Sequence, residues 1–169
     1  MTLIPAELPI EEILKLLPQD ELDALSAIGD SRDDQRWKIG DTARNWIDLQ
    51  GFPVNQICKI IGKETDYGHE RVRQFLYTSR FYAERPGLRS KYLNLRYSIF
   101  EYARQCDDPE AVLQGALENN LRPEQVKFQY PTMIDTIKEL MSRIPRKYQK
   151  EAITILQTAL AKIRELVER

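Results

Sequence analysis

The groups with the widest chemical reach in this chain are guanidinium, ammonium and aromatic side chains gathered between residues 57 and 105. Lys59, Lys63, Arg71, Arg73, Arg80, Arg85, Arg89, Lys91, Arg96 and Arg104 are ten cations there, against five acids, a net +5. Tyr67, Phe75, Tyr77, Phe81, Tyr82, Tyr92, Tyr97, Phe100 and Tyr102 lie in the same stretch, nine of the fifteen aromatic residues. Residues 1–35 are the reverse, with nine acids against Lys15 and Arg32, a net −7, so the overall charge of −1 conceals an asymmetry. Cations with interleaved aromatics suit a polyanion, since the cations meet phosphates and the rings add stacking or core.

Catalytic and metal chemistry finds little support. His69 is the single histidine, and Cys58 and Cys106 stand apart with no ligand spacing around them. HExxH, a Walker loop and a nucleophile elbow are all missing from the sequence, so neither an enzyme nor a cofactor is expected. Glu101, Asp107 and Asp108 are the carboxylates one would pair for acid–base work, but Asp108 directly precedes Pro109 and reads better as a helix cap. Two isolated cysteines, an acidic N-terminus and no apolar run of about eighteen residues lead us to expect a cytoplasmic chain with reduced thiols and no membrane span.

The elements that must carry these residues read as helices throughout, and the expected fold class is all-α. Ile10, Ile13, Leu14 and Leu17 have helical spacing between Pro9 and Pro18, and Leu22 and Leu25 mark a second short helix. SRDDQR (31–36) reads as a polar connector, and Ala43, Trp46, Ile47 and Leu49 as a helix stopped by Gly51 and Pro53. Val54, Ile57, Cys58 and Ile61 repeat at i, i+3, i+4 and i+7, ended by Gly62. After a polar turn, 63–68, the next helix is expected over 69–83, with Val72, Phe75, Leu76, Ser79, Tyr82 and Ala83 inward and Phe81 also in the core. ERPGLRS (84–90) reads as a break, followed by helices near 94–105, from Pro109, and briefly from Pro123. Ile134 to Ile144 forms an amphipathic helix broken at Pro145. A last helix of about 23 residues, about 35 Å, then carries Ala152, Ile155, Ala159, Ile163 and Leu166. The chain divides into an acidic segment 1–35, a core domain 36–130 and C-terminal helices 131–169.

Two short helices joined by a glycine-containing turn at 54–83 fit the helix-turn-helix pattern, whose second helix presents side chains to base edges in the major groove. The expected base readers are His69, Glu70, Arg73, Gln74 and Tyr77, with Arg73 and Gln74 the strongest by donor and acceptor chemistry. Lys63, Arg71, Arg80, Arg85, Arg89 and Lys91 are the expected phosphate contacts. The bland reading gives the aromatics to the core and pairs the arginines with Glu70, Glu84 or Glu101.

Three stretches, RWKIGDTARNW (36–46), PVNQICKIIG with YGHERVRQFLYTSRFY (53–62 and 67–82), and LRYSIFEYARQCDDPEAVLQGALENNLRPEQVK (95–127), resemble helix-turn-helix modules of plasmid and phage regulators and of partition proteins of the ParB/KorB type. The resemblance covers residues 36–130 and lies at the level of architecture. It implies that the helix after the turn reads double-stranded DNA while the trailing helices brace it. The function expected is that of a sequence-specific regulator acting as a homodimer, with Ile155, Ala159, Ile163 and Leu166 at the dimer contact. The alternative is an all-α adaptor whose basic face and last helix bind a protein.

Overall fold

The computed structural model describes residues 8–26 and 32–167. Among them it contains eleven α-helices and no strand: the fold is all-α. The division by packing places Met1–Lys127 in one unit and Phe128–Arg169 in another.

In the first unit, α1 (Ile10–Leu16) and α2 (Gln19–Ser26) lie against α4 (Val54–Glu64), and α2 also touches α3 (Arg32–Arg44). Ile13, Leu17, Leu22 and Leu25 are buried in the same core as Ile57, Ile60 and Ile61. The described part of the acidic segment is thus a packed layer. From its surface Glu21 accepts the Trp46 indole N–H at 2.9 Å.

Of the supposed connector at 31–36, residues 32–36 open α3, and residue 31 lies outside the described residues. Acids are favoured at a helix N-terminus. Asp33 also pairs with Arg36 and accepts the backbone N–H of Tyr97 at 3.1 Å, so its polarity serves a helix junction. At its C-terminal end α3 passes into a π-helical turn over Asn45–Leu49, with Gln50 N–H donating to the Asn45 carbonyl. The wider turn turns the consecutive residues Trp46 and Ile47 both inward.

The closest helix pair is α3 with α5 (His69–Ala83). Gly40 makes it possible, because a Cβ there would lie 2.5 Å from the Phe75 carbonyl oxygen. The core face of α5 is Val72, Phe75, Leu76, Thr78, Ser79 and Tyr82. Ala83 is exposed and Phe81 half-buried, both expected inside. Phe81 instead lies under the Arg85 guanidinium, 4.1 Å from its ring centre.

Residues 84–90 are not a plain break, since α6 (Pro86–Lys91) starts there with Pro86 in the first turn, where no N–H is needed. α7 (Tyr97–Ala103) packs on α8 (Pro109–Glu118), and Asp108 caps α8 by accepting from Ala111 N–H. Trp37 meets Tyr82, Tyr97 and Phe100 edge to face, which joins α3, α5 and α7 in one aromatic cluster. A short α9 (Pro123–Gln129) follows, with Val126 fully buried.

In the second unit, α10 (Met133–Arg143) opens with a reciprocal cap between Thr132 and Asp135. α11 (Arg146–Val167) follows the break at Pro145 and runs 22 residues. Among the described residues the two helices are not packed side by side along their length. Among the described residues, no helix is long and apolar enough to cross a membrane.

Candidate nucleic-acid interface

The turn between α4 and α5 is held from four directions. Thr65 hydroxyl donates to the Ile61 carbonyl at 2.6 Å, closing the end of α4. Asp66 takes φ 57, the left-handed conformation that reverses the chain. The Tyr67 ring meets Phe75 edge-on, and the Gly68 carbonyl accepts from Arg71 and Val72 N–H to start α5. Gly62 lies within the last turn of α4 and does not end it. It is small because the chain folds back onto it: a Cβ there would stand 2.8 Å from the Tyr67 carbonyl oxygen. The turn proper is the four residues 65–68, shorter than the six expected.

This turn sets which side of α5 is outward. His69, Glu70 and Tyr77 are exposed, and Arg73 and Gln74 are half-buried on either side of that ridge. Arg73 leans toward α4, where one terminal nitrogen donates to Asn55 at 2.7 Å and the other to Glu70 at 3.0 Å. The His69 imidazole also lies 3.2 Å from Glu70. Gln74 leans toward α7 and accepts from Arg104 at 3.3 Å. Beneath Arg73 the Cys58 thiol is pushed up by burial, partly offset by the guanidinium above it.

The expected phosphate contacts are mostly committed within the protein. Arg71 donates both terminal nitrogens to Glu101 on α7, at 2.7 and 2.8 Å, and lies over the Phe75 ring. Arg80 is forked onto Asp48 of the π turn, which holds its guanidinium above the ordinary value. Arg85 pairs with Glu84. Lys91 pairs with Glu110, and the neighbouring Tyr92 and Glu110 push its ammonium up to about 12.

Arg89 is held from two sides. It stacks 3.9 Å above Trp37 and donates to Asp41, which also takes the Ser79 hydroxyl, itself bonded to Arg44. That chain ties α6 to α3 and α5, a bracing role. Of the six, Lys63 alone is exposed with no ion pair among the described residues, and Lys59 one turn earlier shares that state. The partners missed by the sequence reading are Asp41, Asp48, Asn55 and Glu110. The two aspartates are seven residues apart on one helix face, a pattern that could have flagged them as facing a basic element.

For the expected dimer contact, Ile155 is 63% exposed and Ala159 is exposed. Ile163 and Leu166 lie on α11, and their side chains fall outside the described residues. Among the described residues no three His, Cys, Asp or Glu side chains form a group able to hold a metal ion. No family model matches this chain, and neither a curated protein nor a solved structure matches it.

Proposed function

We propose that this protein binds double-stranded DNA, with α4 and α5 as a helix-turn-helix and the exposed ridge of α5 in the major groove. The observation that carries the reading is the four-residue turn with α5 projecting His69, Glu70 and Tyr77 while α3 backs its opposite face. The ion pairs along its flanks weigh against it only lightly. Exposed pairs are worth about 0–1 kcal/mol each, so a phosphate can take over Arg80 or Lys91 from its carboxylate at small cost. Lys59 and Lys63 stand ready without such an exchange. In this reading the protein is a regulator that acts as a homodimer through α11, whose Ile153 and Ile155 are exposed.

Association with random-sequence duplex at a series of salt concentrations tests the proposal. Phosphate contact predicts a linear fall of log affinity with log salt, about 0.9 for each phosphate neutralised. A flat dependence, or no association at low salt, would sink it. One observation favours an adaptor that binds protein instead: most expected phosphate contacts already hold an acid.

A further inference from the structure

On the DNA-binding reading above, we infer that Glu70, not Arg73, reads the base. Its target is the exocyclic amino group of a cytosine, and Arg73 is a positioning residue. Arg73 is 25% exposed and spends its terminal nitrogens on Asn55 and Glu70. Turning outward to a guanine would loosen both contacts. Glu70 is 65% exposed, in the first turn of α5, where a reading helix meets base edges.

A carboxylate offers about four lone-pair sites. Arg73 approaches both oxygens, at 3.0 and 3.2 Å, and His69 approaches one at 3.2 Å, which leaves acceptor capacity facing outward. An ionised carboxylate only accepts, so it selects a base edge that donates. Cytosine presents its N4 amino group in the major groove, whereas guanine presents two acceptors and adenine sets the N7 acceptor beside its amino group. The lone pairs of Glu70 therefore favour cytosine over both purines.

The arrangement also answers the usual objection to an acid on a DNA face, its repulsion from phosphates. Arg73 neutralises Glu70 and is itself anchored on α4 through Asn55. The chain Asn55–Arg73–Glu70 fixes one carboxylate rotamer and lowers its local field in the same stroke.

The test uses the full chain and a pool of duplexes randomised over a short window, with bound duplexes sequenced. Wild type should enrich cytosine at one position. Glu70→Gln, on an exposed site, should keep the fold, lower that preference by about 5- to 150-fold, and raise affinity for random duplex. Arg73→Lys keeps the charge and loses the fork. It should weaken the cytosine preference while leaving the salt slope as in wild type. If wild type selects a sequence and Glu70→Gln selects the same one equally well, Glu70 is not the reader although the DNA reading stands. A wild type that binds all duplexes alike also overturns the inference, and one that binds none removes the DNA reading with it.

Discussion

The helices of Met1–Lys127 and those of Phe128–Arg169 follow the same amphipathic rule and meet opposite fates. In α4, Ile57, Ile60 and Ile61 are buried, on an apolar face covered by α1, α2 and α5. In α10 and α11, Ile134, Leu140, Ile153 and Ile155 are each about half exposed or more, and among the described residues the two helices do not cover one another. An apolar stripe on a helix is therefore a demand for a neighbour, and the sequence does not say from which chain the neighbour comes. The first unit meets that demand internally. The second leaves it open, which is why the proposed homodimer is placed there.

The largest expected effect separates the two regions by stability. Trp46 is fully buried and its indole N–H is bonded to Glu21, so Trp46→Ala should cost about 3–5 kcal/mol of unfolding free energy. Ile155→Ala should change the unfolding of a dilute sample by about 0.5 kcal/mol or less, as expected for an exposed site, and should instead weaken self-association. Urea unfolding and sedimentation velocity on the same pair of variants measure both quantities. Equal losses of stability would show that α11 is covered by its own subunit and would break the contrast.

That contrast also marks what was readable beforehand. Helical spacing placed α4 and α5 well, and the boundaries His69 and Ala83 follow from Gly68 before the helix and the polar ERP after it. The D-D-P start of α8 was legible because a cap and a first-turn proline are local chemistry. What escaped was tertiary. SRDDQR looked like a connector because its polarity is spent on Tyr97 and on a helix dipole, neither visible in a local window. ERPGLRS looked like a break because proline and glycine usually punctuate, yet Pro86 opens α6, whose Arg89 stacks on Trp37. At the candidate interface the cations were legible by type and count. Of their partners Glu101 was among those expected, whereas Asp41, Asp48 and Glu110, 19 to 48 residues away in the chain, come together with them only on folding.

Within the first unit, the next effect sharpens the role of the turn. Gly62→Ala places a methyl group against the Tyr67 carbonyl and the His69 N–H, both backbone atoms that cannot move without shifting the start of α5. A cost of about 1–3 kcal/mol is expected, the range for overpacking. Duplex affinity should fall as well, since the ridge of α5 moves with the turn. A still more crowded glycine, Gly40, sits where α3 crosses α5, so Gly40→Ala should lose at least as much stability while leaving the turn intact. If Gly62→Ala and Gly40→Ala have the same effect on DNA binding per unit of lost stability, the turn has no special part in positioning α5.

Alkaline pH probes the same core more gently. Burial pushes the Tyr82 and Tyr97 hydroxyls well above the ordinary value of a tyrosine, and both rings belong to the Trp37 cluster. With the folded pKa raised, stability is fully present below about pH 10, where the unfolded tyrosine titrates, and declines as pH climbs toward the folded value. Tyrosinate absorbance should therefore rise in two stages, the second coinciding with loss of helical circular dichroism. A single stage completed while the helices persist would show that the cluster is open to water.

The smallest expected effect concerns cations that differ only in their partners. Lys63 is exposed and has no ion pair among the described residues, whereas Arg71 is forked onto Glu101 and packed on Phe75. On the DNA-binding reading, Lys63→Ala removes a phosphate contact at no structural cost. It should weaken all sequences alike and reduce the salt slope by about one. Arg71→Ala instead leaves Glu101 without its partner and strips a cation from Phe75, so its main effect should be on stability, with the slope almost unchanged. Charge count alone predicts equal slopes for the two variants, since each loses one positive charge. Titrations at four or five salt concentrations, with unfolding curves alongside, distinguish the two accounts. A slope that drops equally in both would mean that Arg71 leaves Glu101 when DNA binds, and that the ion pairs of the first unit are reserves for phosphate and not braces of the fold.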